Sequence, residues 1–239
     1  MRDFAVSTLG CPGLPLPAVG ALLGRHGVRA VQLRCAEDEP VHAGIDAAAR
    51  RTARRVLDDH GLRLTGLATY VNLSSGAGGL DAHLDLAHDL GAPALRLMPG
   101  TAGVEVTAPA LAAAVARAGD IRLLVETHDA YLRGADLRPL LAAAPGAGAI
   151  WDALHPWRAG ESPAGTSAAL APWLAEIQIK DVASPTERRP LVPGAGAVPL
   201  REVLALHPGV PVVLEHEARW HTDAAPIDDA IAGALTLLG

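Results

Sequence analysis

Short apolar runs alternate with longer amphipathic stretches along the whole chain. The runs are rich in Val, Ile, Leu and Ala, and several end in a charged or amide residue. Continuous apolar runs of this length are typical of strands that are buried on both faces. The predicted strands are Phe4–Ser7, Ala30–Arg34, Arg63–Ala68, Ala94–Met98, Arg122–Thr127, Gly148–Asp152, Glu176–Lys180 and Val210–Glu215.

The stretches between the strands carry apolar residues at helical spacing and are rich in Ala, Leu and Arg. The predicted helices are Pro17–His26, Ile45–His60, Leu80–Leu90, Ala108–Ala118, Leu137–Ala143, Ser167–Leu174, Leu200–Leu206 and Ile227–Leu238. Regular alternation of strand and helix predicts a parallel sheet. Eight such units in 239 residues predict an α/β fold, a (β/α)8 TIM barrel. Because no linker divides the chain, we expect a single domain over residues 1–239.

Glycines and prolines mark the ends of these units. Gly61, Gly91 and Gly119 each follow a predicted helix, where the chain must turn back toward a strand. Gly- and Pro-rich stretches follow the third, fourth, sixth and seventh strands. Insertions on the strand-to-helix side are where a barrel builds its substrate pocket.

Charge and composition exclude several kinds of partner. The net charge is −6 and the pI is about 5.9, so a nucleic acid or an anionic membrane surface is a poor partner. Without a leader sequence or a long uncharged apolar window, we expect a cytoplasmic protein. Cys11 and Cys35 are expected to be reduced and inert. The oligomeric state stays open, a homo-oligomer included.

Four polar residues lie at the carboxyl ends of the last four predicted strands: Glu126, Asp152, Gln178 and Glu215. In a parallel barrel these ends meet at one mouth, which is where barrel enzymes carry out their chemistry. Three carboxylates and an amide oxygen suit a hard divalent cation. The sequence therefore predicts a metal site, although solvated strand-end residues, or an Asp that caps the next segment, are the simpler alternative.

Other polar side chains accompany this set. His128 shares a strand face with Glu126, and His155 follows Asp152 by three residues, so that either imidazole can reach a substrate. Lys180 can form a Schiff base in principle, but neighbouring carboxylates would keep it charged, which favours an electrostatic or substrate-binding role, with a structural ion pair as the alternative. Glu217 is either a partner of Glu215 in holding a cation or a solvated rim residue.

Two arginines and the backbone N–H groups of one loop are also expected at the carboxyl-end mouth of the barrel. Arg34 and Arg96 end the second and fourth strands. Of two alternatives for each, a salt bridge to a loop carboxylate is favoured over the binding of hydroxyl, carboxylate or phosphate groups. The loop at 193–196, Pro-Gly-Ala-Gly, can offer backbone N–H groups to an anion.

Several strings along the chain are distinctive: VQLR, GAPALRLMPG, VET, WDALHPWRAGESP, QIKD and PGAGAVPLREVL leading to VVLEHE. Together they resemble one known family, the xylose isomerase-like TIM-barrel superfamily in its sugar phosphate isomerase/epimerase branch. The resemblance covers almost the whole chain. The WD-x-x-HP-x-R-x-G-E-S string and the series QIKD, PGAG, PL, E are the specific ones.

The resemblance implies a role for each site residue. It places the metal ligands at Glu126, Asp152, position 178 and Glu215, with the two glutamates as acid and base. It makes His155 a substrate contact, and His128, Lys180 and Arg96 complete the candidate substrate-binding set. The family pattern has His where this chain has Gln178. An amide oxygen is a poorer ligand than imidazole for Zn²⁺, so Mn²⁺ or Mg²⁺ is favoured and Co²⁺ or Zn²⁺ is the alternative.

The implied function is that of a divalent-metal-dependent isomerase or epimerase of a small keto sugar, sugar phosphate or polyol ketone, acting through an enediolate. A lyase of the dehydratase type on the same site is the first alternative. A non-catalytic barrel, motivated by Gln178, is the second. A DNA-repair endonuclease also belongs to the superfamily, but it needs a basic DNA-binding face that this acidic chain lacks.

Overall fold

The apolar runs form the parallel strands of a closed barrel, in the order in which they occur along the chain. The computed structural model describes residues 2–239. The predicted fold class is confirmed. The strands are β1 (Phe4–Ser7), β2 (Ala30–Cys35), β3 (Arg63–Asn72), β4 (Ala94–Met98), β5 (Arg122–Glu126), β6 (Gly148–Asp152), β7 (Leu174–Ile179) and β8 (Val212–Leu214).

Helices surround the barrel and bury their apolar stripes against the outward faces of the strands, which forms the main hydrophobic core. The helices are α1 (Leu16–Arg25), α2 (Ala47–Asp59), α3 (Leu80–Leu90), α4 (Val104–Arg117), α5 (Gly134–Ala143), α6 (Leu154–Arg158), α7 (Pro163–Leu170), α8 (Leu200–Leu206) and α9 (Ile227–Leu238). Helix α3 ends at Gly91, whose φ of 70° lies in the left-handed region that glycine tolerates best.

Two helices differ from the sequence prediction around the sixth strand. The predicted helix Ser167–Leu174 is instead α7, which begins earlier because Ser162 caps it through a hydrogen bond from Gly165 N and Pro163 occupies its first position. Helix α6 was not predicted. It follows β6 after one residue and carries His155, so it decides where that imidazole lies.

Helices α4 and α5 begin several residues before their predicted starts and continue through Pro109 and Pro139. A proline within a helix removes one backbone hydrogen bond. The helices persist because their apolar stripes are buried; Leu111 in α4 and Leu137 in α5 are fully covered. Tertiary packing therefore outweighs the local preference of proline.

The inside of the barrel changes character from its amino end to its carboxyl end. Near the amino end the lumen is filled by small apolar clusters, one made of Ala5, Ala30 and Val213 and another of Ala94, Leu124 and Ile150. Polar side chains begin above these clusters, so the candidate site residues face the carboxyl-end mouth, where barrels of this type carry their active sites.

Two further expectations concern the membrane and the cysteines. Among residues 2–239, no helix is long and apolar enough to cross a membrane. Cys11 and Cys35 are both free and buried. Burial raises the pKa of each thiol to about 12, in agreement with inert cysteines.

Candidate metal centre and active site

The four predicted ligands lie together at the mouth. Glu126 and Asp152 are the last residues of β5 and β6, Gln178 is the penultimate residue of β7, and Glu215 directly follows β8. Each has at most 3% of its surface exposed. Asp152 and Gln178 are register partners on adjacent strands, which brings them to the same level of the barrel. One carboxylate oxygen from each of Glu126, Asp152 and Glu215 lies within 4.8 Å of the others.

Two buried cations separate these carboxylates. Arg96 Nη1 lies 2.9 Å from Glu126 Oε2 and 3.0 Å from Glu215 Oε1. Lys180 Nζ lies 2.7 Å from Asp152 Oδ2, 2.5 Å from Glu215 Oε2 and 3.0 Å from a carboxylate oxygen of Glu217. We call this set the site cluster: Arg96, Glu126, Asp152, Lys180, Glu215 and Glu217.

The charges of the site cluster do not balance. Four carboxylates face two cations, so the cluster carries a formal charge of −2 when every group is ionised. Buried charge of one sign is costly unless protons or counter-ions compensate it. One divalent cation would supply the missing charge, and three mutually close carboxylates are suitable ligands for it. The residues therefore fit a divalent cation.

The pKa values follow from this imbalance. Burial raises the pKa of the Glu126 carboxyl to about 8; Glu215 adds to the rise and Arg96 opposes it. Burial would also raise the pKa of Asp152, but Lys180 outweighs burial and holds that pKa below its usual range. Although burial disfavours its ammonium, the carboxylates around Lys180 raise its pKa well above the ordinary value. A lysine held this firmly in its charged form is a poor amine nucleophile.

The turn after β6 fixes the Asp152 side chain. Leu154 N donates to Asp152 Oδ1 over 2.7 Å, and Asp152 N donates to Thr127 Oγ1 over 3.1 Å. Asp152 thus makes the local capping contact that the simpler interpretation expected. Its second oxygen, Oδ2, remains directed at Lys180. One oxygen of Asp152 therefore caps the turn after β6, while the other contacts Lys180 in the site cluster.

Two histidines line the mouth next to the carboxylates. His155 Nε2 lies 3.4 Å from Asp152 Oδ2, and the ring centroids of His128 and His155 are 4.6 Å apart. Burial lowers the pKa of His155, with Asp152 opposing the change. His128 Nδ1 lies 2.8 Å from Asp129 Oδ1. Glu126, His128 and His155 each offer one atom within 4.8 Å of the others, so both imidazoles lie beside the carboxylates, and their contact with a substrate stays a prediction.

Two polar side chains beneath Gln178, those of Glu176 and Gln32, were not predicted from the sequence. Glu176 and Gln32 lie inside the barrel and are 5% and 2% exposed. Gln32 Nε2 donates to both oxygens of Glu176, over 2.9 and 3.0 Å. Burial raises the pKa of Glu176 to about 7, although hydrogen bonds from the two amides oppose the rise. The signal was the alternation E-I-Q-I-K along β7, which places Glu176, Gln178 and Lys180 on one face.

Arg34 is occupied by carboxylates of the loop that follows β2, so the salt-bridge alternative describes it better than substrate binding. Its Nη1 lies 2.9 Å from Asp38 Oδ1 and 2.5 Å from Glu39 Oε1. Arg219 also pairs with Asp38. We call this second set the Arg34 cluster: Arg34, Asp38, Glu39 and Arg219.

Two aromatic side chains that the sequence did not single out lie beside the Arg34 cluster. The ring of Tyr70 is 5.2 Å from the Arg34 guanidinium and 5.3 Å from that of Arg96, and Trp220 is 5.4 Å from Arg34. Both rings are exposed, at 43% and 57%. They form an aromatic border at the β2–β3 side of the mouth.

The predicted anion loop at 193–196 binds an anion of the chain itself. Gly194 N and Gly196 N donate to Asp181 Oδ2 over 2.8 and 3.0 Å, and Val198 N donates to Oδ1 over 3.1 Å. A Cβ on Gly196 would lie 2.2 Å from Asp181 Oδ1. The loop therefore does offer N–H groups to an anion, but the anion is the Asp181 carboxylate of the chain itself.

Two cavities adjoin the mouth. One of about 730 Å³ is lined by Arg34, Tyr70 and the loops after β2 and β3. The other, about 430 Å³, lies between the loops after β6 and β7 and is lined by His155, Arg158 and Arg188. Each is large enough for a small polyol, and the second includes a candidate substrate-binding residue, His155.

Comparison with known proteins agrees with the architecture. The family model described as "Xylose isomerase-like TIM barrel" matches residues 21–236. A comparison with curated proteins gives no significant match.

Solved structures with very similar folds include enzymes of different reaction types. The probable 3-DHS dehydratase AsbF from Bacillus anthracis has a TM-score of 0.80 at 16% identity, with 99% of each chain covered. The IOLI protein with a bound zinc atom has a TM-score of 0.79 at 13% identity, covering 99% of this chain and 98% of its own. D-psicose 3-epimerase from Clostridium cellulolyticum H10, with D-tagatose, has a TM-score of 0.77 at 12% identity, with 99% of each chain covered. At these identities the likeness concerns the fold alone.

Proposed function

This chain belongs to the xylose isomerase-like TIM barrel family, and from that premise we propose that it is a divalent-metal-dependent isomerase or epimerase of a small keto sugar, sugar phosphate or related polyol ketone. One observation carries the proposal: buried oxygen donors converge from four successive strands, in a cluster that lacks two positive charges. An epimerase and a zinc-bound protein among the similar structures support it.

Glu126, Asp152, Gln178 and Glu215 would hold the cation. When bound, it supplies Lewis-acid polarisation of the substrate carbonyl and of the neighbouring hydroxyl. An all-oxygen set favours Mn²⁺ or Mg²⁺ over softer ions. Replacing Gln178 by His is expected to raise the affinity for Zn²⁺ and Co²⁺ relative to Mg²⁺. Calorimetric titration of both proteins tests this, and an unchanged metal preference would show that residue 178 is not a ligand.

Glu126 and Glu215 are placed to move the proton. One carboxylate removes the proton from the carbon next to the carbonyl, which leaves an enediolate. Return of a proton to the opposite face gives the epimer, whereas its return to the adjacent carbon gives the isomer. Without a cation, burial raises the pKa of Glu126 to about 8; a bound cation would lower this pKa again and leave an ionised carboxylate that can accept the proton at neutral pH.

The remaining polar groups would orient the substrate. Lys180 and Arg96 carry buried positive charge between the carboxylates and can hydrogen-bond substrate oxygens. His155 and His128 face each other at the rim, where their ring nitrogens can bind hydroxyl groups farther along the substrate. Together they fix which carbon faces the acid–base pair.

Proton exchange tests the proposal for every substrate of this class, because each reaction passes through the same enediolate. Metal-loaded protein in D₂O with a panel of keto sugars and inososes should introduce deuterium at the carbon next to the carbonyl, as detected by NMR. Exchange with no member of the panel, under Mn²⁺, Mg²⁺, Co²⁺ or Zn²⁺, would favour a non-catalytic barrel. Mass spectrometry of the product separates the reactions, since isomerisation and epimerisation conserve mass and a dehydratase removes water.

A further inference from the structure

Three side chains form a buried polar column inside the barrel, directly beneath the site cluster: Gln32, Glu176 and Gln178. We propose that Glu176 is a positioning residue, which orients the Gln178 amide so that its oxygen faces the metal. The inference rests on the proposed function, because it assumes a cation at the site cluster.

The column is held by hydrogen bonds to one carboxylate. Gln178 Nε2 donates to Glu176 Oε1 over 3.4 Å, and Gln32 Nε2 donates to both oxygens of Glu176. All three side chains lie almost completely out of water. Glu176 therefore interacts only with protein groups, and its main polar contacts are two amide N–H groups.

The carboxylate dictates which end of the Gln178 amide points toward it. Both oxygens of Glu176 already accept hydrogen bonds from Gln32 Nε2, so Glu176 presents acceptors to Gln178, whereas an amide has one donor end and one acceptor end. Turning the Gln178 amide over would place Oε1 against Glu176 and replace an attraction by a repulsion. Glu176 thus selects one of two orientations that are nearly equal in shape.

The oxygen at the other end has no partner within the protein. Gln178 Oε1 is buried and accepts no hydrogen bond from residues 2–239. A buried acceptor without a partner is costly, and native proteins seldom keep one without a reason. Because Gln178 is the register partner of Asp152, its amide lies at the level of the carboxylates. A cation there would satisfy the oxygen, so the orientation set by Glu176 yields an all-oxygen ligand set.

Three variants of the full chain test the role of Glu176. E176M keeps the length of the side chain and removes the acceptor, whereas E176Q keeps an acceptor oxygen. Q32M is the matched control, since it removes the other hydrogen-bond donor to Glu176 and leaves Gln178 in place. Each protein is stripped with EDTA, its thermal unfolding is recorded without metal, and Mn²⁺ is titrated by calorimetry.

We expect E176M to weaken Mn²⁺ binding by roughly tenfold or more, the usual effect of losing the group that orients a metal ligand. E176Q and Q32M are expected to stay within about threefold of the parent, on the same scale. A purely structural role for Glu176 would lower the unfolding temperature of metal-free E176M and leave its Mn²⁺ affinity unchanged, and that result would overturn the proposal.

If E176M does not fold, the crystal structure of the parent protein soaked in Mn²⁺ tests the orientation of the Gln178 amide directly. Gln178 Oε1 should lie roughly 2.0–2.6 Å from the ion, with Nε2 directed at Glu176. An ion bound by Glu126, Asp152 and Glu215 with Gln178 turned away would overturn the inference and leave the proposed function intact. A parent protein that binds none of Mn²⁺, Mg²⁺, Co²⁺ and Zn²⁺ would overturn both.

Discussion

The site cluster and the Arg34 cluster lie at the same mouth and are built from the same residue types, yet their charges differ. In the Arg34 cluster, two arginines meet two carboxylates. In the site cluster, one arginine and one lysine meet four carboxylates. The first cluster is neutral within the protein, whereas the second carries a formal charge of −2 when every group is ionised.

The two clusters differ in net charge because their carboxylates come from different parts of the chain. Asp38 and Glu39 belong to the loop directly after β2, so Arg34 finds its partners within five residues of its own position. The carboxylates of the site cluster come from the ends of three strands, β5, β6 and β8, which the closed barrel holds together. A charge imbalance fixed by the barrel itself indicates ligand binding, whereas a locally neutralised arginine indicates stability of a loop.

The largest effect is expected on turnover, when the proposed acid or base is replaced. Glu126→Gln or Glu215→Gln keeps an oxygen donor but removes a proton acceptor, so turnover should fall by about 10² or more, the scale of general acid–base catalysis. The matched control is Glu39→Gln, the same change in the Arg34 cluster, which should leave turnover nearly unaltered. Steady-state rates and deuterium exchange measure both. Equal losses in the two clusters would argue against a special role for the site cluster.

Divalent metal should stabilise the fold through the site cluster only. At a metal concentration of about a hundred times Kd, binding adds about 2.7 kcal/mol to the free energy of unfolding. For a chain of this size that raises Tm by roughly 5–10 °C. Asp152→Asn should reduce this shift and Asp38→Asn should not. Differential scanning fluorimetry with Mn²⁺ and with EDTA provides the comparison, and a metal response lost equally in both variants would remove the distinction between the clusters.

The stability of the metal-free protein should depend on pH in a direction set by Glu126. Its folded pKa of about 8 lies above the ordinary value of 4.5. Between these pH values the folded protein therefore holds a proton that the unfolded chain has lost, and the free energy of unfolding falls as pH rises through this window. Glu176, with a folded pKa of about 7, acts in the same direction.

Glu126→Gln removes one of these two titrations and should flatten the profile. Thermal unfolding in EDTA at intervals from about pH 5 to 8.5 tests this expectation. A profile for Glu126→Gln as steep as that of the parent would mean that Glu126 does not hold its proton in the folded state.

The smallest effect is expected from a thiol reagent, because the two thiols beside the Arg34 cluster are buried. Cys11 and Cys35 both have pKa values raised by burial to about 12, so only about one thiol in ten thousand is ionised at pH 8. Neither should react with a thiol reagent in the folded protein, and both should react once guanidinium unfolds it. Fast labelling of the native protein would show that this side of the barrel opens more readily than its packing implies.

Local patterns were sufficient for most of the fold. The apolar runs predicted every barrel strand because a strand buried on both faces leaves a continuous apolar signal. The strand ends predicted the grouping of Glu126, Asp152, Gln178 and Glu215 because parallel strands end on one side of a barrel. Helix α7 was misplaced although Ser162 and Pro163 gave a usable start signal, and α6 is too short to leave a periodic pattern.

By itself, the sequence determined the barrel, its polar mouth and the chemical nature of the candidate ligands, since each follows from residue type and spacing along one strand or helix. Only the tertiary structure decided how those charges pair. Gln32 and Glu176 are 144 residues apart, and Arg96 reaches Glu215 from 119 residues away. Closing the barrel fixes the register between such distant strands. The charge left over at the mouth, and the direction in which the Gln178 amide points, therefore depend on the closed barrel and on no local pattern.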